Sequence, residues 1–186
     1  MNEKELLEDF EINPLTIAVL PLEYGGKLYS KLYQLDEELY IPYKPLDLIK
    51  KGCITYCSSY EGRKAGSRYL TGITHKIPIT IDSTNSMFYF PTISPNKPQC
   101  AWISHEYVKD YKKVNSKNTQ VIFRNNLSIV IPISIYSFET QLFRTASLRT
   151  KLAQKLNEYN RRNMVLYNNH SRASEQVTGY GEDNRR

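Results

Sequence analysis

A series of short β-type segments divided by tight turns constrains the fold of this chain most strongly. Residues 15–22 are rich in branched apolar side chains, residues 24–26 (Tyr-Gly-Gly) supply a tight turn, and residues 28–33 form a second β-type segment. A polar turn at residues 36–37 leads to a third segment at residues 39–41. The pattern predicts a three-stranded meander, in which many of the 15 tyrosines occupy half-buried strand positions.

The rest of the chain predicts more strands and two helices. Proline early in the segment and glycine after it predict a short helix over residues 45–52, and apolar side chains at helical spacing predict a long helix over residues 138–160. Short strands are expected within 69–81, 87–90 and 101–105, and a hairpin of strands 121–124 and 127–131 around Asn125-Asn126.

These elements indicate an α+β fold with a mainly antiparallel β core, a long C-terminal helix and a disordered C-terminal tail. The expected organisation is a flexible acidic N-terminus (1–10), one β-rich domain ending in the helix (11–160) and a polar disordered tail (161–186).

The charge is unevenly distributed along the chain. The formal net charge is +6, with −5 in residues 1–50, +6 in residues 51–143 and +5 in residues 144–186. An excess of cations in the middle and C-terminal parts favours a polyanionic partner such as nucleic acid. The absence of a long apolar run and of a signal-like N-terminus predicts a cytoplasmic protein. Three cysteines, an odd number, do not resemble a disulfide framework, so reduced thiols are expected.

The segment from Tyr60 to Arg68 places cations between two glycines. We interpret it as a loop in which Gly62 and Gly66 turn through positive φ while Arg63, Lys64 and Arg68 contact an anion. The alternative is an ordinary solvated turn.

Two further groups of cations are expected to support this loop. They are His75 with Lys76, and Arg144, Arg149, Lys151 and Lys155 on the long helix. A solvated helix face is the alternative for the second group. No helix-turn-helix is expected, because no short companion helix precedes the long helix across a tight turn.

Enzymatic and metal sites find little support in the sequence. Cys53, Cys57, Cys100 and His105 could in principle bind zinc, but their spacing lacks a C-x2-C knuckle. Ser104 and His105 are adjacent on a predicted strand, so their side chains point to opposite faces and cannot form a dyad. No cofactor and no catalytic residue is therefore predicted.

Five motifs, in order, resemble one known family. They are residues 58–66 (SSYEGRKAG), 74–76 (THK), 90–92 (FPT), 98–105 (PQCAWISH) and 143–151 (FRTASLRTK). In these motifs the chain is similar to the ComK competence transcription factors of Gram-positive bacteria, over residues 11–156.

The resemblance implies an activator of DNA-uptake genes that binds A/T-rich promoter boxes through the minor groove as a dimer and works with RNA polymerase. The expected DNA contacts are Arg63, Lys64, Arg68, His75, Lys76, Arg144, Arg149 and Lys151.

The resemblance also implies control by a Clp protease adaptor that recognises Met164, Val165, Leu166 and Tyr167. Two alternatives stay open: a paralogue that does not bind DNA and acts by heterodimerisation, and a single-strand nucleic-acid binder on a β platform.

Overall fold

The structure is a computed structural model that describes residue 7 and residues 10–178, with side chains as far as Arg162 and at Met164. Nine strands and three helices lie in these residues. The helices are α1 (Pro45–Thr55), α2 (Tyr60–Thr71) and α3 (Ile135–Thr178). The strands are β1 (Thr16–Tyr24), β2 (Lys27–Gln34), β3 (Glu38–Ile41), β4 (Ile79–Asp82), β5 (Met87–Pro91), β6 (Trp102–Ser104), β7 (Val108–Lys113), β8 (Thr119–Phe123) and β9 (Ser128–Ile131).

Two antiparallel sheets form the core, as the sequence predicts. Six strands pair in the order β3-β2-β1-β6-β5-β4, and β7-β8-β9 form a second sheet. The predicted meander is β1 to β3, and the predicted hairpin is β8 with β9, where Asn126 has a φ of 64°.

Both faces of the six-stranded sheet are covered. On one face Val19, Tyr89 and Trp102 pack with apolar side chains of α1 and with Tyr60 of α2. On the other face Phe90 and Ile103 belong to a second apolar cluster that includes side chains of β8, β9 and α3. Alternate strand residues therefore serve opposite cores, as the pleat requires.

The largest correction concerns residues 60–71. They form α2, and neither the predicted loop over 60–68 nor a strand beginning at Tyr69 is present. Gly62 and Gly66 are helical, and the positive φ of 73° belongs to Gly72, which ends the helix. The prediction that Gly62 and Gly66 adopt positive φ was thus wrong.

α3 is longer than predicted at both ends, since it begins at Ile135 and its last residue is Thr178. Residues up to Arg149 form one compact unit, and residues from Thr150 form a second. Residues 179–186 lie outside the described part, and the domain boundaries at 10 and 160 and the tail over 161–186 stay predictions. No helix in the described part is long and apolar enough to cross a bilayer.

Candidate nucleic-acid interface

The predicted basic segment is presented on α2, whose two ends are capped. Ser59 is the N-cap, and its hydroxyl accepts a hydrogen bond from the backbone N–H of Gly62 at 3.0 Å. Gly72 closes the other end in the left-handed conformation, and its N–H donates to the Arg68 carbonyl at 2.8 Å. Both ends are therefore set by residue types suited to capping.

A second short helix, α1, precedes α2 across the four residues 56–59. α1 contains the predicted helix over residues 45–52, whereas no helix was predicted where α2 lies. The long helix α3 follows strand β9, so no short helix comes immediately before it, as predicted. α1 lacks a side-chain cap, and Pro45 begins it. Tyr60 at the start of α2 is buried and meets the edge of Trp102, with ring centroids 6.1 Å apart.

One face of α2 is exposed to solvent and consists largely of residues with small side chains. Gly62, Ala65 and Gly66 lie on this exposed face, and a Cβ added at Gly66 would meet no heavy atom within 4 Å. Tyr69 follows on the same face with 86% of its surface exposed. A partner could approach the helix backbone closely along this face.

The three predicted cations of α2 differ in availability. Arg68 is exposed and has no side-chain partner among the residues described. The Lys64 ammonium lies 3.3 Å from a carboxylate oxygen of Glu61, an exposed pair that contributes little to stability. Arg68 is therefore the α2 cation most available to an external anion.

Arg63 is half-buried and lies on the α1 side of α2. Its Nε atom is buried with no hydrogen-bond partner in the described part of the protein. Burial raises the pKa of the Cys53 thiol of α1 to about 11, and the positive charge of Arg63 partly offsets this effect. Arg63 is thus less accessible to a ligand than its place in the motif suggests.

The predicted residues His75, Lys76 and Arg144 do come together. Arg144 Nη1 donates to the His75 carbonyl and to Gln141 Oε1, both at 3.2 Å. The buried Gln141 amide donates to the carbonyls of Lys76 at 2.8 Å and Pro91 at 2.9 Å. Gln141, which the sequence analysis did not select, holds this segment against α3.

Arg149 is occupied by a carboxylate. Its Nη1 lies 2.6 Å from Glu106 Oε2, and the other oxygen of Glu106 lies 2.8 Å from Arg124 Nη1. Burial, and then the charge of Arg149, lower the pKa of the adjacent His105. Arg149 is therefore part of an ion-pair network within the protein.

The predicted cations of α2 and α3 have separate partners in the described residues. Lys64 of α2 shares no hydrogen-bond acceptor or carboxylate with Arg144 or Arg149. Lys151 is exposed on α3 in the second unit. Met164 is 67% exposed, and the side chains of Val165, Leu166 and Tyr167 lie outside the described residues.

The three cysteines differ in their exposure to solvent. Cys53 and Cys100 are buried in the core, whereas Cys57 is exposed. Within the described ranges, no three histidine, cysteine or acidic side chains are grouped as metal ligands.

Sequence reasoning passed over the lysines of β7 and of the turn that follows it. Residues 108–123 contain four lysines and one aspartate, a net charge of +3 in 16 residues. This density is visible in the printed sequence, but no strand was predicted between residues 106 and 120, so the lysines were not assigned to a common element.

Comparison with known proteins identifies the family. The model of the ComK protein family matches residues 7–157. The competence transcription factor of Bacillus subtilis (strain 168) is 45% identical over 163 residues, which cover 87% of this chain and 85% of that protein. No solved structure matches this chain. A family match over most of the chain, together with this identity, shows that the chain belongs to the ComK family.

Proposed function

We propose that this protein is a competence transcription factor that activates transcription by binding A/T-rich promoter DNA as a dimer in the cytoplasm. Family membership and the identity to a competence transcription factor support this function. The observation that carries the DNA-binding part is the exposed face of α2. There Arg68, which has no side-chain partner in the described part of the chain, lies near Gly62, Ala65 and Gly66.

The width of a helix limits how α2 meets DNA. An α-helix with side chains is about 10–12 Å across, whereas the minor groove of B-DNA is about 6 Å wide. We therefore place α2 across the phosphate backbone, with the Arg68 guanidinium reaching into the groove. A minor groove narrowed over A·T tracts has an enhanced negative potential, which favours an inserted arginine.

His75, Lys76 and Arg144 are proposed as backbone contacts beside this site. The Arg144 side chain already donates to the His75 carbonyl, which fixes the position of this segment. Arg63, Lys64, Arg149 and Lys151 complete the proposed set. Arg149 would first have to release Glu106, so we assign it a lesser part.

A salt titration tests the proposal. Binding to a duplex with A·T boxes and to a G·C-rich duplex of equal length is measured by fluorescence anisotropy at several salt concentrations. Wild type is compared with Arg68→Gln and with Lys50→Gln, a control that removes one exposed charge from α1.

The wild type should prefer the A·T duplex, with an affinity that falls steeply as salt rises. Arg68→Gln should lose most of that preference and lower the salt slope by about 1 unit, whereas Lys50→Gln should keep the preference. Wild-type binding without preference or salt dependence would refute the proposed function. The same A·T preference and salt slope for the two variants would mean that Arg68 does not contact the DNA.

Dimerisation, contact with RNA polymerase and delivery to a Clp protease by an adaptor are further parts of the proposal that come from the family resemblance. Met164 is exposed, as recognition of the motif at residues 164–167 requires. Replacing Met164 by Asp should lengthen the half-life of the protein in a reconstituted degradation assay. An unchanged half-life would argue against adaptor recognition there.

A further inference from the structure

A group of exposed lysines outside the predicted site lies at the tip of the β7–β8 hairpin. Lys112 and Lys113 end β7, and Lys117 lies in the turn that leads to β8. All three side chains are exposed, and Asp110 is the one acidic residue in the hairpin. We call Lys112 to Asn118 the basic tip.

The lysines of the basic tip have no carboxylate partner among the residues described. In contrast, Glu106 holds both Arg124 and Arg149, and Glu61 lies beside Lys64. The nearest acid in sequence, Asp110, accepts a hydrogen bond from the backbone N–H of Tyr111. No acid of the described residues therefore neutralises the charge of the basic tip, and its field extends into solvent.

The base of the hairpin is packed into the core. The Tyr111 ring packs against Phe138 with centroids 5.1 Å apart, and Val121 and Phe123 of β8 are fully buried. The buried Thr119 hydroxyl donates to the Ile133 carbonyl at 2.9 Å. The basic tip is thus held in place by a packed sheet, which reduces the entropy lost when it binds a partner.

The turn itself is also ordered. Asn115 Oδ1 accepts hydrogen bonds from the backbone N–H groups of Lys117 and Asn118, both at 2.9 Å. The Asn115 N–H in turn donates to the Asn118 carbonyl at 3.3 Å. Because its oxygen is occupied, the Asn115 amide can present its two N–H donors outward, as acceptor groups of a nucleic acid require.

We propose that the basic tip is a second DNA-contacting element, in which Lys112, Lys113 and Lys117 bind phosphates of the duplex and Asn115 donates a hydrogen bond to it. This inference rests on the proposed function, since it names a further contact of the same DNA. The basic tip shares no residue with the α2 site, and it lies on the β7–β8 hairpin and not on a helix.

The competing explanation is protection of an edge strand. β7 is at the edge of its sheet, and lysines on edge strands prevent pairing with other chains. Edge protection explains Lys112 and Lys113, but Lys117 lies in the turn and not on the strand. The two explanations predict different results when these charges are removed.

The experiment compares two triple variants with equal charge changes. The first is Lys112→Gln/Lys113→Gln/Lys117→Gln, and the matched control is Lys27→Gln/Lys50→Gln/Lys97→Gln, whose lysines are also exposed and without a carboxylate partner in the described part. Thermal unfolding first checks that both fold. Affinity for the A·T-box duplex is then measured against salt concentration, together with sedimentation of the free proteins.

Each phosphate contact contributes about 0.9 to the slope of log affinity against log salt on duplex DNA, so the tip variant should lower the slope by about 2–3 units. The control variant should lower it by less than about 1 unit. A preference for the A·T duplex should persist in the tip variant, because phosphate contacts carry no sequence information.

Three outcomes would overturn the inference. Equal slopes for the two variants would mean that the basic tip does not touch DNA, while wild-type binding would leave the proposed function intact. An unchanged slope with new aggregation of the tip variant would establish edge protection instead. A wild type that binds no duplex would refute the proposed function and this contact together.

Discussion

Three glycines at α2 should respond differently to replacement by alanine. At Gly66 an added Cβ has open space, so Gly66→Ala should stabilise the protein by about 0.5–1 kcal/mol through improved helix propensity. At Gly62 the Cβ would lie 3.1 Å from the Ser59 hydroxyl that caps the helix, which should cancel much of this gain. Gly72 has a φ of +73°, where alanine costs about 1–2 kcal/mol.

Equilibrium urea denaturation of the wild type and the three variants measures this order. Gly66→Ala should be the most stable, Gly62→Ala close to wild type and Gly72→Ala the least stable, with a total range of about 1.5–3 kcal/mol. For a chain of this length, 1 kcal/mol corresponds to about 2–4 °C in Tm. Destabilisation by Gly66→Ala similar to that by Gly72→Ala would refute a helical Gly66 and restore a loop at residues 60–68.

Two further predictions concern Gln141, which is buried in α3, and His105, the half-buried residue that follows β6. Gln141→Ala should lower the free energy of unfolding by about 2–4 kcal/mol, because it leaves the carbonyls of Lys76 and Pro91 without their donor, whereas the exposed Gln154→Ala should change it by less than about 0.5 kcal/mol. Equal decreases in the free energy of unfolding for the two variants in urea denaturation would contradict this role of Gln141. Burial and a neighbouring arginine lower the pKa of His105 below its usual 6.5, so acidification through that pH protonates the unfolded state first and lowers stability. His105→Gln should remove this loss as the pH falls below about 6.5, and identical pH profiles of unfolding free energy for the two proteins would contradict the assignment.

The parts of the fold that were predicted correctly depend on local signals. Gly25 and Gly26 have φ values of 56° and 73°, as a tight hairpin between β1 and β2 requires. Asn126 adopts positive φ between β8 and β9 for the same reason. In each case the turn residue and the apolar alternation on both sides lie within a few residues of one another.

α2 escaped prediction because its stabilising contacts are distant in sequence. Two glycines and several short polar residues resemble a loop, and the mean helix propensity of the segment is lowered accordingly. Tyr60 nevertheless anchors the helix against Trp102, and that ring is contributed by β6. Tertiary packing therefore overrides local propensity, and only the cap residues Ser59 and Gly72 could have indicated a helix.

The cations of the candidate site could be predicted from the sequence, but not which of them pair with acids inside the protein. The reason is again that the deciding contacts are distant in sequence. A sequence shows where cations occur, but binding of a polyanion depends on which of them lack an internal anion. Glu106 pairs with Arg124 and Arg149, which are 18 and 43 residues away, and no local pattern reports either contact. A phosphate would have to displace a carboxylate 2.6 Å from Arg149, whereas no carboxylate of the described residues pairs with Arg68. A basic surface that binds DNA is therefore defined as much by the positions of the acids as by those of the lysines and arginines.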